Sequence, residues 1–147
     1  MNDREKLLTV MDEEADAVEN LLDIMRDKQK AIISMSNEDL QESIDKELKI
    51  VSLTKSLERQ RLELIQKIIP ETNHPSKITI SELLNNFEGE ESNRLLSLKQ
   101  KLRESLEQMK EINEINRLLV ERGKKFVKEN ISIFTEQGKK ILVDKKV

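Results

Sequence analysis

The chain has 147 residues, of which 36% are hydrophobic and 37% are charged, and its formal net charge is −3 at pH 7. This length predicts one domain, and this balance of apolar and charged residues predicts a thin core. Trp, Tyr and Cys are absent, and Gly and Pro occur only three and two times. This composition excludes a disulfide framework, a zinc knuckle and a thiol nucleophile, and it argues against a β-sandwich or barrel.

The chain carries no sign of membrane insertion or secretion. No apolar run approaches the roughly 20 residues that cross a bilayer. The first residues, Met-Asn-Asp-Arg-Glu-Lys, lack the apolar region of a signal peptide. We therefore expect a cytoplasmic protein without stable membrane insertion.

The first predicted helix covers residues 1–35. Its apolar residues recur in alternating steps of three and four, which is the heptad pattern of a helix that buries one stripe against others. The pattern has a single polar break, at Gln29. At 1.5 Å per residue this helix is roughly 45 Å long, so it must pack lengthwise against a partner. The residues of the stripe are Leu8, Met11, Ala15, Val18, Leu22, Met25 and Ile32.

The second predicted helix covers residues 36–69, with Ser36 as its N-cap and acidic residues in its first turn. Glu58 and Arg61 are three residues apart and are expected to pair across one turn of this helix. Glu47 and Glu58 make poor catalytic carboxylates because they lie far apart on a rod that offers no cleft. We interpret them as structural ion-pairing residues.

Both prolines of the chain fall in residues 70–89, which are therefore predicted to be a loop, with a short helix near 79–87. A third long helix is predicted over 90–138, ending at Gly138, with 139–147 as a tail. The predicted fold is one all-α domain, an antiparallel coiled-coil bundle of three long helices with a short helix in the connecting loop.

The third helix changes character halfway along. Its heptad seam is almost wholly apolar from Leu95 to Ile112, and beyond that one column of the seam becomes Asn116, Gly123, Asn130 and Gln137. Apolar residues then recur every seven positions beside this polar column, and we call these pairs the C-terminal stripe: Leu119/Val120, Phe126/Val127 and Ile133/Phe134. We predict that the first half of the helix holds the fold together and that the second half binds a partner. The candidate partner-binding residues are Ile112, Ile115, Asn116, Leu119, Val120, Gly123, Phe126, Val127, Asn130, Ile133 and Phe134.

Charge and motifs restrict the possible functions further. Residues 117–147 carry nine Lys or Arg against four acidic residues, a net charge of +5 that leaves −8 for the rest. A nucleic-acid or membrane binder is one interpretation. A cationic helix C-terminus that complements the helix dipole is favoured, because aromatic and basic residues do not interleave. No Gly-rich phosphate loop, Ser/His/Asp set or metal-ligand spacing is present, so we expect no enzyme activity, no cofactor and no metal.

Two segments resemble a known family, the FlgN flagellar export chaperones. One is the run from Asn113 to Leu119, Asn-Glu-Ile-Asn-Arg-Leu-Leu, which follows a Leu/Met heptad and precedes an apolar helix. The other lies in the second helix, where Glu47, Leu48, Val51, Leu57, Glu58 and Arg61 are similar to that family's pattern before the loop. The resemblance covers nearly the whole chain in length and element order. It thins over Pro70 to Gly89 and the last ten residues, and nothing is carried over to those segments.

The resemblance implies a cytoplasmic chaperone of the flagellar type III export system. Such proteins bind the C-terminal helical segments of the hook–filament junction proteins FlgK and FlgL, prevent their premature assembly and deliver them to export-gate components. The family's substrate-binding region would map onto residues 116–134. Two alternatives stay open at this point: a self-associating coiled-coil scaffold without a client, and a nucleic-acid or membrane binder that acts through residues 117–128 and the tail.

Overall fold

The computed structural model describes the backbone of residues 1–146 and the side chains of residues 1–126, 128 and 129. No strand occurs within residues 1–146, so the predicted all-α class is confirmed. Three long helices and one short helix are present, with a 3₁₀ turn on either side of the short helix. The elements in order are α1 (Asp3–Ile33), α2 (Asn37–Ile68), a 3₁₀ turn (Pro75–Lys77), α3 (Ile80–Leu83), a second 3₁₀ turn (Leu84–Asn86) and α4 (Gly89–Lys146).

Local hydrogen bonds set where the helices begin. Ser36 Oγ accepts a hydrogen bond from Asp39 N at 3.2 Å, as predicted for the N-cap of α2. Thr79 and Glu82 form a capping box at the start of α3, with the Thr79 Oγ1 to Glu82 N distance at 3.1 Å. Each cap satisfies backbone donors that a helix start otherwise leaves without partners.

The turn between α1 and α2 places a methionine in a left-handed conformation. Ser36 N donates to Ala31 O at 3.0 Å and Met35 N donates to Ile32 O at 3.2 Å, which is the Schellman pattern of a helix end. The residue at the left-handed position is Met35, with φ of 57°. Glycine is usual there, because a side chain raises the energy of this conformation by about 1–2 kcal/mol.

α1 is the common partner of α2 and α4. The α1–α2 pairs Lys28–Glu47, at 3.2 Å, and Glu14–Arg61, at 3.0 Å, show that these helices are antiparallel. Arg26 Nη2, by contrast, donates to Gln108 Oε1 at 2.9 Å. Together with the Asp12–Arg94 pair nearer the N-terminus of each helix, this contact shows that α1 and α4 run in the same direction. The antiparallel three-helix coiled-coil bundle stays a prediction.

The hydrophobic core is concentrated at one end of the molecule. It combines the first half of α1, the second half of α2, the short helix region and the start of α4, with Leu7, Leu8, Ile65, Leu83 and Leu95 as its most deeply buried large side chains. The predicted seam of α4 is buried at Leu95, Leu98, Ser105 and Asn116 and half-buried at Leu102, Met109 and Ile112. Most of the apolar burial therefore lies far from the C-terminal half of α4.

Two sequence-based expectations differ from the structure. α4 continues to Lys146 rather than ending at Gly138 with a tail over 139–147. A glycine lowers helix stability by about 1 kcal/mol relative to alanine but does not by itself end a helix. Arg61 pairs with Glu14 of α1 rather than with Glu58 of its own helix, because its position on α2 faces α1.

Candidate partner-binding surface

The interface between α1 and α4 includes Asn116. Its side chain is 5% exposed, and its Nδ2 donates to the backbone oxygen of Met25 at 3.2 Å. Its Oδ1 is buried without a hydrogen-bond partner among the described residues. In the chain without a client this amide is covered by α1, and the predicted contact of Asn116 with a client stays a prediction. Buried polar residues at helix interfaces fix register at the expense of stability, and this role fits Asn116.

Around and beyond this contact, part of the apolar face of α4 is exposed to solvent. Ile112 and Leu119 are half-buried, Ile115 and Val120 are exposed, and Phe126 is 60% exposed. Ile115 and Phe126 are eleven residues apart, so they lie within about 20° of each other around the helix. The described part of the C-terminal stripe is thus accessible to a partner, as is Ile115.

Gly123 also lies on this open part of the helix. A Cβ placed on it would meet no atom within 4 Å, so nothing in the described molecule requires a glycine there. The remaining predicted residues, Val127, Asn130, Ile133 and Phe134, lie outside the described side chains.

Sequence reasoning missed three exposed apolar residues near this surface. Leu118 is exposed on α4, and Ile33 and Met35, at the α1–α2 turn, are 66% and 73% exposed. α1 and α4 run the same way, and the offset between contacting residues is 82 for Arg26–Gln108 and 91 for Asn116–Met25. These offsets bring Ile33 level with a position between residues 115 and 124. The turn therefore lies near the exposed part of α4. The signal for Leu118 was the unbroken run Leu-Leu-Val at 118–120, whereas the turn residues carry no periodic signal.

Of the basic side chains around this surface, Arg117 is paired with acidic residues and four others pair with none of the described ones. Arg117 lies between two acidic residues: its Nη2 donates to Glu114 Oε1 at 2.7 Å and its Nη1 donates to Glu121 Oε1 at 2.6 Å. The hydrogen bond to Arg117 holds the pKa of Glu114 below its usual value, and the same bond raises the pKa of Arg117. Arg117 is therefore not a free cation for a phosphate. Four other cations of this region, at positions 122, 124, 125 and 128, make no ion pair with another described residue.

A second set of ionisable groups lies between α1 and α2, away from this surface. Burial raises the pKa of the Glu14 carboxyl; nearby Arg61 opposes this shift and nearby Glu58 adds to it. Glu14 Oε1 and Arg61 Nε are 3.0 Å apart, yet neither atom makes a hydrogen bond of good geometry with a described residue. The two charged groups are therefore close but not joined by a well-aligned hydrogen bond. They form part of the contact between α1 and α2.

These features define a class of protein: an all-helical binding protein whose last helix leaves its own core and presents an apolar face. Within the described residues, no helix is long and apolar enough to cross a membrane. The family model of the FlgN protein matches residues 1–142, and the chain belongs to this family. Membership indicates a flagellar export chaperone with flagellar client proteins. Searches of curated proteins and of solved structures found no match to this chain.

Proposed function

We propose that this protein is a cytoplasmic chaperone of the flagellar type III export system. In this proposal it binds the C-terminal helices of the hook–filament junction proteins FlgK and FlgL, prevents their premature assembly and delivers them to export-gate components. It needs no catalysis and no cofactor for binding. The observation that supports the proposal best is the exposed apolar face of α4 around and beyond Asn116 in a member of this family.

Binding follows from the surface itself. An amphipathic helix of the client lays its apolar face against Ile115, Leu119 and Phe126, the mode in which a helix fills a hydrophobic groove. Complete burial of one large apolar side chain contributes about 1.5–3 kcal/mol. Gly123, where an added Cβ would meet no atom within 4 Å, permits close approach of the client backbone. Ile33 and Met35 extend the contact, and Met adapts readily to different client surfaces.

The test is a double substitution, Ile115→Asp with Phe126→Asp, in the full chain. Both side chains are exposed, so each change should alter the free energy of unfolding by no more than about 0.5 kcal/mol. Binding of the C-terminal segments of FlgK and FlgL should be lost, because two carboxylates cannot be buried against an apolar helix without a large penalty. Pull-down and circular dichroism are measured on the same preparation.

The matched control is Leu96→Asp, which changes a side chain of similar exposure, 46%, elsewhere on α4. It should retain client binding. Native helicity with undiminished binding in the double variant would place the client site elsewhere. A collapsed fold would show that the apolar face is core. Dimerisation of the wild type at micromolar concentration, abolished by the double variant, would favour the self-associating scaffold instead.

A further inference from the structure

A shallow groove of about 450 Å³ lies between α3 and α4, at the edge of the core. Its apolar wall is formed by Ile80, Leu102 and Leu106. Charged side chains complete the lining, with Lys99, Arg103 and Lys110 against a single acid, Glu107. This groove has no role in the client-binding surface proposed above.

The groove is continuous with the hydrophobic core. Ile80 and Leu102 pack against the buried cluster, whereas Leu106, one turn further along α4, is 52% exposed. Lys99 Nζ donates to Ser81 Oγ at 3.1 Å and so links the two walls. The apolar row of Ile80, Leu102 and Leu106 thus runs from the core to the solvent-exposed surface. The groove along it is present in the chain without a partner.

The charge around the groove identifies what would fit it. Three cations and one acid line it, and neither Arg103 nor Lys110 makes an ion pair or a side-chain hydrogen bond with another described residue. Their aliphatic stems can cover apolar surface while their charged ends point outward. An apolar floor with a basic rim complements an apolar ridge with an acidic rim.

We propose that this groove binds an acidic amphipathic helix of a partner protein, with apolar residues at i and i+4 facing Leu102 and Leu106. The mode is helix-in-groove, with acidic residues beside the apolar ridge paired to Arg103 and Lys110. Twenty residues separate Leu106 from Phe126, which places them on opposite sides of α4 and about 30 Å apart along it. The inference thus goes beyond the proposed client site and assigns α4 a second docking surface.

Other occupants fit the groove less well. Single-stranded nucleic acid stacks its bases on aromatic side chains, and no aromatic residue lines the groove. A small ligand needs a pocket that encloses most of its surface, and this groove is shallow.

The experiment uses two labelled synthetic peptides of about 18 residues, five helical turns. Both carry Leu at i, i+4 and equivalent positions on one face; one has Glu beside the Leu row and the other has Lys at the same places. Binding to the full chain is measured by fluorescence anisotropy at fixed salt. The Glu peptide should bind at least about tenfold more tightly than the Lys peptide, since complementary charges surround an apolar anchor.

Three variants locate the site. Leu106→Glu should weaken Glu-peptide binding at least about tenfold, the range of a central apolar contact. Leu96→Glu, of similar exposure on the same helix, should change it less than about twofold, as expected outside an interface. Arg103→Glu with Lys110→Glu should reverse the preference between the two peptides.

Several outcomes would overturn the inference. Equal affinity for the two peptides, or equal losses in the Leu96 and Leu106 variants, would show that the groove is not the site. Loss of Glu-peptide binding in the Ile115→Asp/Phe126→Asp variant would assign the peptide to the client surface. A wild-type dimer that Leu106→Glu converts to monomer would identify a second copy as the occupant. Binding to anionic phosphatidylserine vesicles that Leu106→Glu abolishes would identify a membrane.

Discussion

Replacing Asn116 by leucine tests whether the buried amide weakens the α1–α4 interface. Asn116 is buried, makes one hydrogen bond to Met25 O and leaves its Oδ1 without a partner. Leucine has nearly the same length and branches at the same carbon. The substitution therefore removes one hydrogen bond and one unsatisfied acceptor while adding apolar surface to a site that is already closed.

The expected change follows from these three contributions. Loss of the hydrogen bond to Met25 O destabilises by about 0.5–1.5 kcal/mol, and removal of the unsatisfied Oδ1 stabilises by about 1–3 kcal/mol. Burial of the leucine side chain stabilises by up to about 1.5–3 kcal/mol. We expect the Asn116→Leu variant to gain about 1–3 kcal/mol in free energy of unfolding. At about 2–4 °C per kcal/mol for a chain of this size, the melting temperature should rise by roughly 3–10 °C.

The assay is urea and thermal unfolding followed by circular dichroism at the helix band. Asn113→Leu is the matched control, because Asn113 is exposed and one turn away on the same helix; its effect should stay within about 0.5 kcal/mol. Client binding is measured in both variants, and a loss in Asn116→Leu alone would support the predicted client contact of Asn116. Destabilisation by more than about 1 kcal/mol would refute the reasoning, because it would show that the amide is fully satisfied in the folded state.

Two further predictions concern Glu14, at the α1–α2 interface, and Met35, in the α1–α2 turn. Because burial raises the pKa of the Glu14 carboxyl from its ordinary value of 4.5, the folded protein binds this proton more tightly than the unfolded chain does. The free energy of unfolding should therefore fall as the pH rises above 4.5, and it should fall more than in the Glu14→Gln variant. Urea titrations of both proteins between about pH 4 and pH 7 measure this difference. A rise instead would mean that the attraction of Arg61 for the Glu14 carboxylate outweighs the effect of burial. Met35→Gly should stabilise by about 0.5–1 kcal/mol, since relief of left-handed strain of about 1–2 kcal/mol is partly offset by the greater freedom of glycine in the unfolded chain. Met35→Ala keeps the strained backbone and should show no such gain in the same urea titrations, so equal stabilisation in both variants would contradict this explanation.

The helices were predictable because each carries its own local signals. The heptads of α1 and of the first half of α4 predicted which face of each helix is buried. Ser36 predicted where α2 begins. The end of α4 was not predictable from Gly138, since a lone glycine lowers helix propensity without forbidding a helix.

The partner-binding surface was predictable only in part. Periodicity identified Phe126 and Leu119 as members of an apolar row, and that row is accessible where the structure describes it. Periodicity could not tell that Asn116 is still covered by α1, because that depends on how far α1 extends along α4. The partner of Arg61 and the position of Ile80 beside Leu106 depend likewise on tertiary packing, which no local spacing encodes.

The parallel arrangement of α1 and α4 has a consequence for the order of folding. The contacts that join these helices link residues 82 to 91 positions apart in the chain, as in Arg26–Gln108 and Asn116–Met25. The α1–α2 contact between Lys28 and Glu47 links residues only 19 positions apart. Closing a longer loop costs more chain entropy, and this loss precedes the contacts that offset it. During synthesis, the α1–α2 hairpin can therefore assemble while α4 is still emerging from the ribosome. α4, which supplies most residues of both proposed docking surfaces, is the last element to join the fold.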